Sequence, residues 1–175
     1  MPRAPHAGVM LVVTTLAGAI TLGFCVYTLW PALRSAGWRA AAGVGCLAAS
    51  IFGVGDLLTP FERLGCRLAD PGCTPASQLA SGGGRLDATL STAGDVLLVA
   101  SAFLLASAMT RLVGLHTWTR ATRWCGGALT VTLIANAAAP EELRGLAERL
   151  FAAAGVTFIA VVAIAVSRTP RRHMR

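Results

Sequence analysis

The chain has no lysine; all fifteen of its basic residues are arginine. Acidic residues number eight, and charged residues make up 13% of the 175 positions, against about 25% in an ordinary soluble domain. That scarcity excludes a solvated globular surface. Disorder is excluded as well, because it requires low hydrophobicity together with high charge, and here the apolar class reaches 55% with a mean hydropathy of +0.65. Histidine is restricted to His6, His116 and His173, none inside an apolar run, so a bis-histidine haem in a bundle is not expected. No HExxH pair, phosphate-binding loop or GxSxG elbow occurs. The string Ser81-Gly82-Gly83-Gly84 has no following lysine and no preceding strand, and reads as a loop. Asp56 and Asp95 could form an intramembrane carboxylate dyad, but their flanks offer nothing further. Enzymatic activity, a cofactor and a metal are therefore not expected.

What is present is a polytopic membrane protein, read as one integral membrane domain over residues 1–175. A bilayer core needs about 20 apolar residues per helix, and five stretches meet or approach this: 8–30, 38–58, 88–109, 122–139 and 151–167. Each must be helical, since unpaired backbone groups cannot face lipid. The fold class expected is all-α, a bundle of about five spans. The net charge of +7 is scattered between these runs, which argues against nucleic acid as a partner and for the cytoplasmic bias of basic loops. One side of the threading holds Arg34, Arg39, Arg111, Arg120, Arg123, Arg168, Arg171, Arg172 and Arg175 without an acid. The other holds Arg3, Arg63, Arg67, Arg85, Arg144 and Arg149 mixed with acids. This places the N-terminus outside and the basic 168–175 tail in the cytoplasm. Trp30, Trp38, Trp118 and Trp124 fall at the arginine-rich face, where tryptophan favours the headgroup level. The first run is longer than the 7–15 residues of a signal-peptide core, so it reads as a span. Arginine-only, alanine- and glycine-rich usage suggests a bacterial cytoplasmic (inner) membrane.

The segment 59–87 carries Pro60, Pro71, Pro75 and three consecutive glycines, and reads as an extracytoplasmic loop. Cys66 and Cys73 share it in an oxidising location, and a disulfide between them is expected; zinc would want four ligands, and no histidine is near. Cys25, Cys46 and Cys125 lie in spans as small apolar residues. Pro140-Glu141-Glu142 opens a helix well, so the last helix is expected to start near 140, with Leu143, Leu146 and Leu150 on one face and Arg144 and Glu148 paired at i, i+4. Gly45, Ala49 and Gly53 follow small-xxx-small spacing, for close packing within the bundle or a homo-oligomer face.

An ionisable residue inside a span is a functional candidate. Asp95, Asp56, Asn136 and Arg149 all fall in the same leaflet. They read as one polar cluster that either locks helices together, with Asp95 or Asp56 paired to Arg149 or Arg85, or binds a polar headgroup, a cation or a proton.

Three blocks together resemble the domain of unknown function 998 family of bacterial membrane proteins. They are Leu33-Arg34-Ser35-Ala36-Gly37-Trp38-Arg39 running into Gly53-Val54-Gly55-Asp56, then Cys66 to Ser91 with Pro71-Gly72-Cys73 and Leu86-Asp87-Ala88-Thr89-Leu90-Ser91, and last Gly145-Leu146-Ala147-Glu148-Arg149-Leu150-Phe151. The resemblance covers most of the chain from Arg34 onwards. It implies a multi-pass protein of about six helices, of which this chain shows five. Many members carry histidine at the positions of Leu86 and Leu90; this chain keeps only Asp87 between them. No activity follows from the family.

The function expected is that of an accessory or scaffold subunit in the cell membrane, its partners being the lipid bilayer and a membrane protein or a second copy. The alternative is a small transporter or lipid-binding protein using the polar cluster around Asp56 and Asp95.

Overall fold

A computed structural model describes residues 7–61, 66 and 72–169. They form six helices: α1 (Gly8–Ala36), α2 (Trp38–Phe61), α3 (Pro75–Ala80), α4 (Gly82–Met109), α5 (Thr119–Ala138) and α6 (Glu141–Arg168). No strand occurs among the described residues. The all-α bundle expected from the hydropathy pattern is the fold observed.

Four helices are long and apolar enough to cross a membrane: α1, α2, α4 and α6. The fifth expected span, 122–139, is helix α5. Its twenty residues reach about 30 Å, enough for a bilayer core, but it is less apolar than the others, with Arg120 and Arg123 in its first turns. It packs lengthwise between α4 and α6. Helix α4 is central: α2 lies against one side of it and α5 against the other. Leu29, Leu33, Leu47, Leu98, Leu105, Met109, Leu129, Phe158 and Val162 fill the core and are fully buried.

Helix α1 runs unbroken to Ala36 rather than ending at 30. A proline inside a helix removes a hydrogen bond and crowds the carbonyl four residues back. The wider π-helical turn at Cys25–Leu29 lies just before Pro31 and gives that carbonyl room. Gly37, at φ +79°, then turns the chain into α2.

The largest departure from the sequence reading is in 59–87. Residues Pro75–Ala80 are helical, and α4 starts at Gly82, six residues before the expected 88. Glycine disfavours a helix interior, but the first turn has free amides that a cap can satisfy. Ser81 Oγ accepts the Gly84 amide at 3.0 Å, and Thr74 and Ser77 form a reciprocal cap on α3. Gly84 also packs against the Gln78 carbonyl, with no room for a Cβ atom. The triple glycine is thus a helix start. The Cys66–Cys73 disulfide is present, and Gly72 turns at φ +83° between its ends. Residues 62–65 and 67–71, like Arg3, His6 and the tail from 170, lie outside the described residues.

Candidate functional site

Helix α2 is interrupted midway. Residues Trp38–Ala49 are α-helical, Ser50 is extended (φ −68°, ψ 174°), and Ile51–Gly55 resumes as a π-helical turn. Ser50 absorbs the break locally. Its amide and hydroxyl both donate to the Leu47 carbonyl, at 3.3 and 2.7 Å, and its own carbonyl accepts from Gly53 and Gly55 at 3.0 and 3.2 Å. Irregular backbone at membrane depth is tolerated where protein or a cavity covers it. Here the cover is α4: a Cβ on Gly94 would meet the Ile51 amide nitrogen at 2.7 Å. Gly53 is equally constrained, because a Cβ there would collide with the Ala48 carbonyl oxygen.

The break corrects the small-xxx-small reading. Gly45, Ala49 and Gly53 share a face only on an unbroken helix. Gly53 faces the break, whereas Gly45 looks into open space, with nothing within 4 Å of the place a Cβ would take.

Asp95 follows Gly94 and so sits at the level of the break. It is half-buried, and its Oδ1 is buried without a hydrogen-bond partner. Asn136 on α5 shares both properties. Heights follow from helix contacts. Gly126 packs beside Ala102 and Phe103; Asn136 is ten residues onward and Asp95 seven back from Ala102, so at 1.5 Å per residue they lie within about 5 Å in height. Gly155 packs beside Leu98, which puts Glu148 about 6 Å above Asp95. Glu148 is exposed on α6, close enough to Asp95 for the two like charges to repel. Asp95, Asn136 and Glu148 therefore form a polar layer across α4, α5 and α6.

The other expected members stay apart. Asp56 is half-buried on the outer part of α2, in the seam with α1, where Gly18 closes on the backbone of Asp56 and Leu57. Arg149 and Arg85 are exposed. With Asp95 Oδ1 unpartnered, no arginine among the described residues closes on it in the manner of a helix lock. Sequence spacing gives Glu148 only a surface pair with Arg144; its reach to Asp95 depends on the register of α6 against α4, which spacing does not carry. The break at Ser50 left one trace in the sequence, the glycines at 53 and 55 within a single span, each costing a helix interior about 1 kcal/mol.

A second feature lies where α5 ends and α6 begins, a shallow groove of about 320 Å³ lined by Thr132, Ala135, Ala139, Leu143, Leu146 and Leu150. The leucine face read from the sequence is thus directed into this groove and remains about half exposed. No group of three or more metal-ligating side chains occurs among the described residues. No family model, curated protein or solved structure matches the chain.

Proposed function

We propose that this integral membrane protein binds a small cationic group in the half of the bundle where α5 ends and α6 begins, as a transporter or binding protein, through Asp95, Asn136 and Glu148. One observation carries the reading: two buried carbonyl-type oxygens, Asp95 Oδ1 and Asn136 Oδ1, lack partners at the level where α2 is broken. A buried acceptor without a partner costs about 1–3 kcal/mol. The exposed carboxylate of Glu148, on α6 above Asp95, adds repulsion that a cation or a proton relieves. Broken spans beside such acceptors are the arrangement by which transporters expose backbone to an ion. The ligand class is a metal or organic cation, including the ammonium of a lipid headgroup. The N-terminus lies outside and the C-terminus inside a bacterial cytoplasmic membrane on this reading, supported by the nine arginines and absent acids of one face.

The test is modification by a hydrophobic carbodiimide, which attacks carboxyl groups in apolar surroundings, on the full chain in liposomes. Peptide mass mapping is expected to find Asp95 labelled, and sodium, potassium or choline to suppress the labelling. Labelling indifferent to every cation would overturn the reading and leave Asp95 a packing residue. The accessory-subunit reading rests on a different observation, the open face of Ala41, Gly45 and Ala49, all exposed on α2. Crosslinking of Gly45→Cys to another chain in native membranes tests it.

A further inference from the structure

The arginine-rich end of the bundle contains a second site, independent of the polar layer. Arg39, in the first turn of α2, is half-buried. Its Nη1 donates to Ser107 Oγ on α4 at 3.0 Å, and its guanidinium carbon lies 5.8 Å from the Trp38 ring centroid. These contacts fix the side chain in the α2–α4 cleft. They satisfy one of its five N–H donors with a neutral hydroxyl. The segments meeting at this end, 30–39, 109–124 and 165–169, contain no aspartate or glutamate that could neutralise its charge. Arg111, exposed in the turn just after the end of α4, adds a second cation at the same end of the bundle. Trp38, 68% exposed, marks headgroup depth.

A planar guanidinium tied down through Nη1 keeps its Nε–Nη2 edge for a phosphate, which that edge meets with two parallel hydrogen bonds. We infer that Arg39, pinned on Ser107 and joined by Arg111 at the same end of the bundle, holds a phosphate group, and that the donor of that group is the headgroup of an anionic phospholipid. General attraction of basic loops to an anionic surface would spread over Arg34, Arg120, Arg123 and Arg168 alike; the pinned Arg39 makes this cleft a discrete site.

The experiment loads the full chain with equal amounts of phosphatidylglycerol and phosphatidylcholine, then reads retained lipid by native mass spectrometry. The wild-type chain is expected to retain phosphatidylglycerol preferentially. Arg39→Gln and Arg111→Gln are each expected to cut that preference about fivefold, since one arginine near an anionic headgroup contributes about 1 kcal/mol. Arg168→Gln, at the same end of the bundle but on α6 and outside the α2–α4 cleft, leaves it unchanged. Arg111 is exposed, so its substitution leaves the fold intact, and far-ultraviolet circular dichroism checks that Arg39→Gln remains helical. Added inorganic phosphate separates the two sources: failure to displace the lipid supports the headgroup, and full displacement at millimolar concentration identifies free phosphate instead. An unchanged preference in both Arg39→Gln and Arg111→Gln overturns the site. An equal loss in Arg168→Gln overturns it too, by showing diffuse attraction.

Discussion

Two glycine substitutions separate backbone contact from simple helix preference. Gly94 and Gly45 both sit in membrane-spanning helices. Replacing glycine by alanine inside a helix favours the helix by about 0.5–1 kcal/mol. At Gly45 that gain stands alone, because nothing lies within 4 Å of the added atom. At Gly94 the added methyl would stand 2.7 Å from the Ile51 nitrogen and 3.1 Å from its Cα. Those are backbone atoms, fixed by the Ser50 hydrogen bonds, so no rotamer change clears the clash. Either α4 or the outer half of α2 must shift, at an overpacking cost of about 1–3 kcal/mol. The net expectation is a loss of about 1–2 kcal/mol for Gly94→Ala, once the helix gain is subtracted, and a gain of up to about 1 kcal/mol for Gly45→Ala.

The assay is reversible unfolding of the purified chain in mixed micelles, followed by circular dichroism across a denaturing-detergent titration. The sign difference between the two variants is the readout, because it cancels errors common to both. A Gly94→Ala protein as stable as the wild type would refute the close approach of α4 to the broken segment, and with it the placement of Asp95 beside the break. A Gly45→Ala protein that lost stability would refute the open face on α2 and point to a covering chain.

Three further outcomes follow from single contacts. Cys66→Ser opens a disulfide spanning a sequence separation of seven; the chain-entropy relation gives a loss of about 2 kcal/mol, and reductant should lower the midpoint of the wild type but not of the variant. Ser81→Ala removes the acceptor for the Gly84 amide and should cost about 1 kcal/mol, with amide exchange faster over residues 82–85 and unchanged beyond the polar layer. Phe52 lays its ring against Gly155, beside Leu98; Phe52→Ala should cost about 2–3 kcal/mol, below the 3–5 of a fully buried phenylalanine, since the residue is half-buried. An unaltered unfolding midpoint in Phe52→Ala would show that the outer half of α2 does not rest on α6.

The parts of the fold legible in the sequence are those set by hydropathy and by local chemistry. The apolar runs locate every long helix, because lipid admits no other backbone solution for such lengths. Pro140 and the leucines at 143, 146 and 150 place the start of α6 and its apolar face correctly, since both depend on spacing within a single helix. Propensity alone makes the triple glycine a loop, and the cap supplied by Ser81 outweighs it. What stays hidden is register between helices. Asp95 is visible as an ionisable residue in a span, but its neighbours depend on which turn of α5 and α6 stands beside it. Arg149 and Glu148 differ by one position, about 100° around the helix; both are exposed on α6, and it is Glu148 that comes within electrostatic reach of Asp95. The exchange changes the chemistry, since an arginine beside Asp95 would neutralise its charge and a glutamate adds to it.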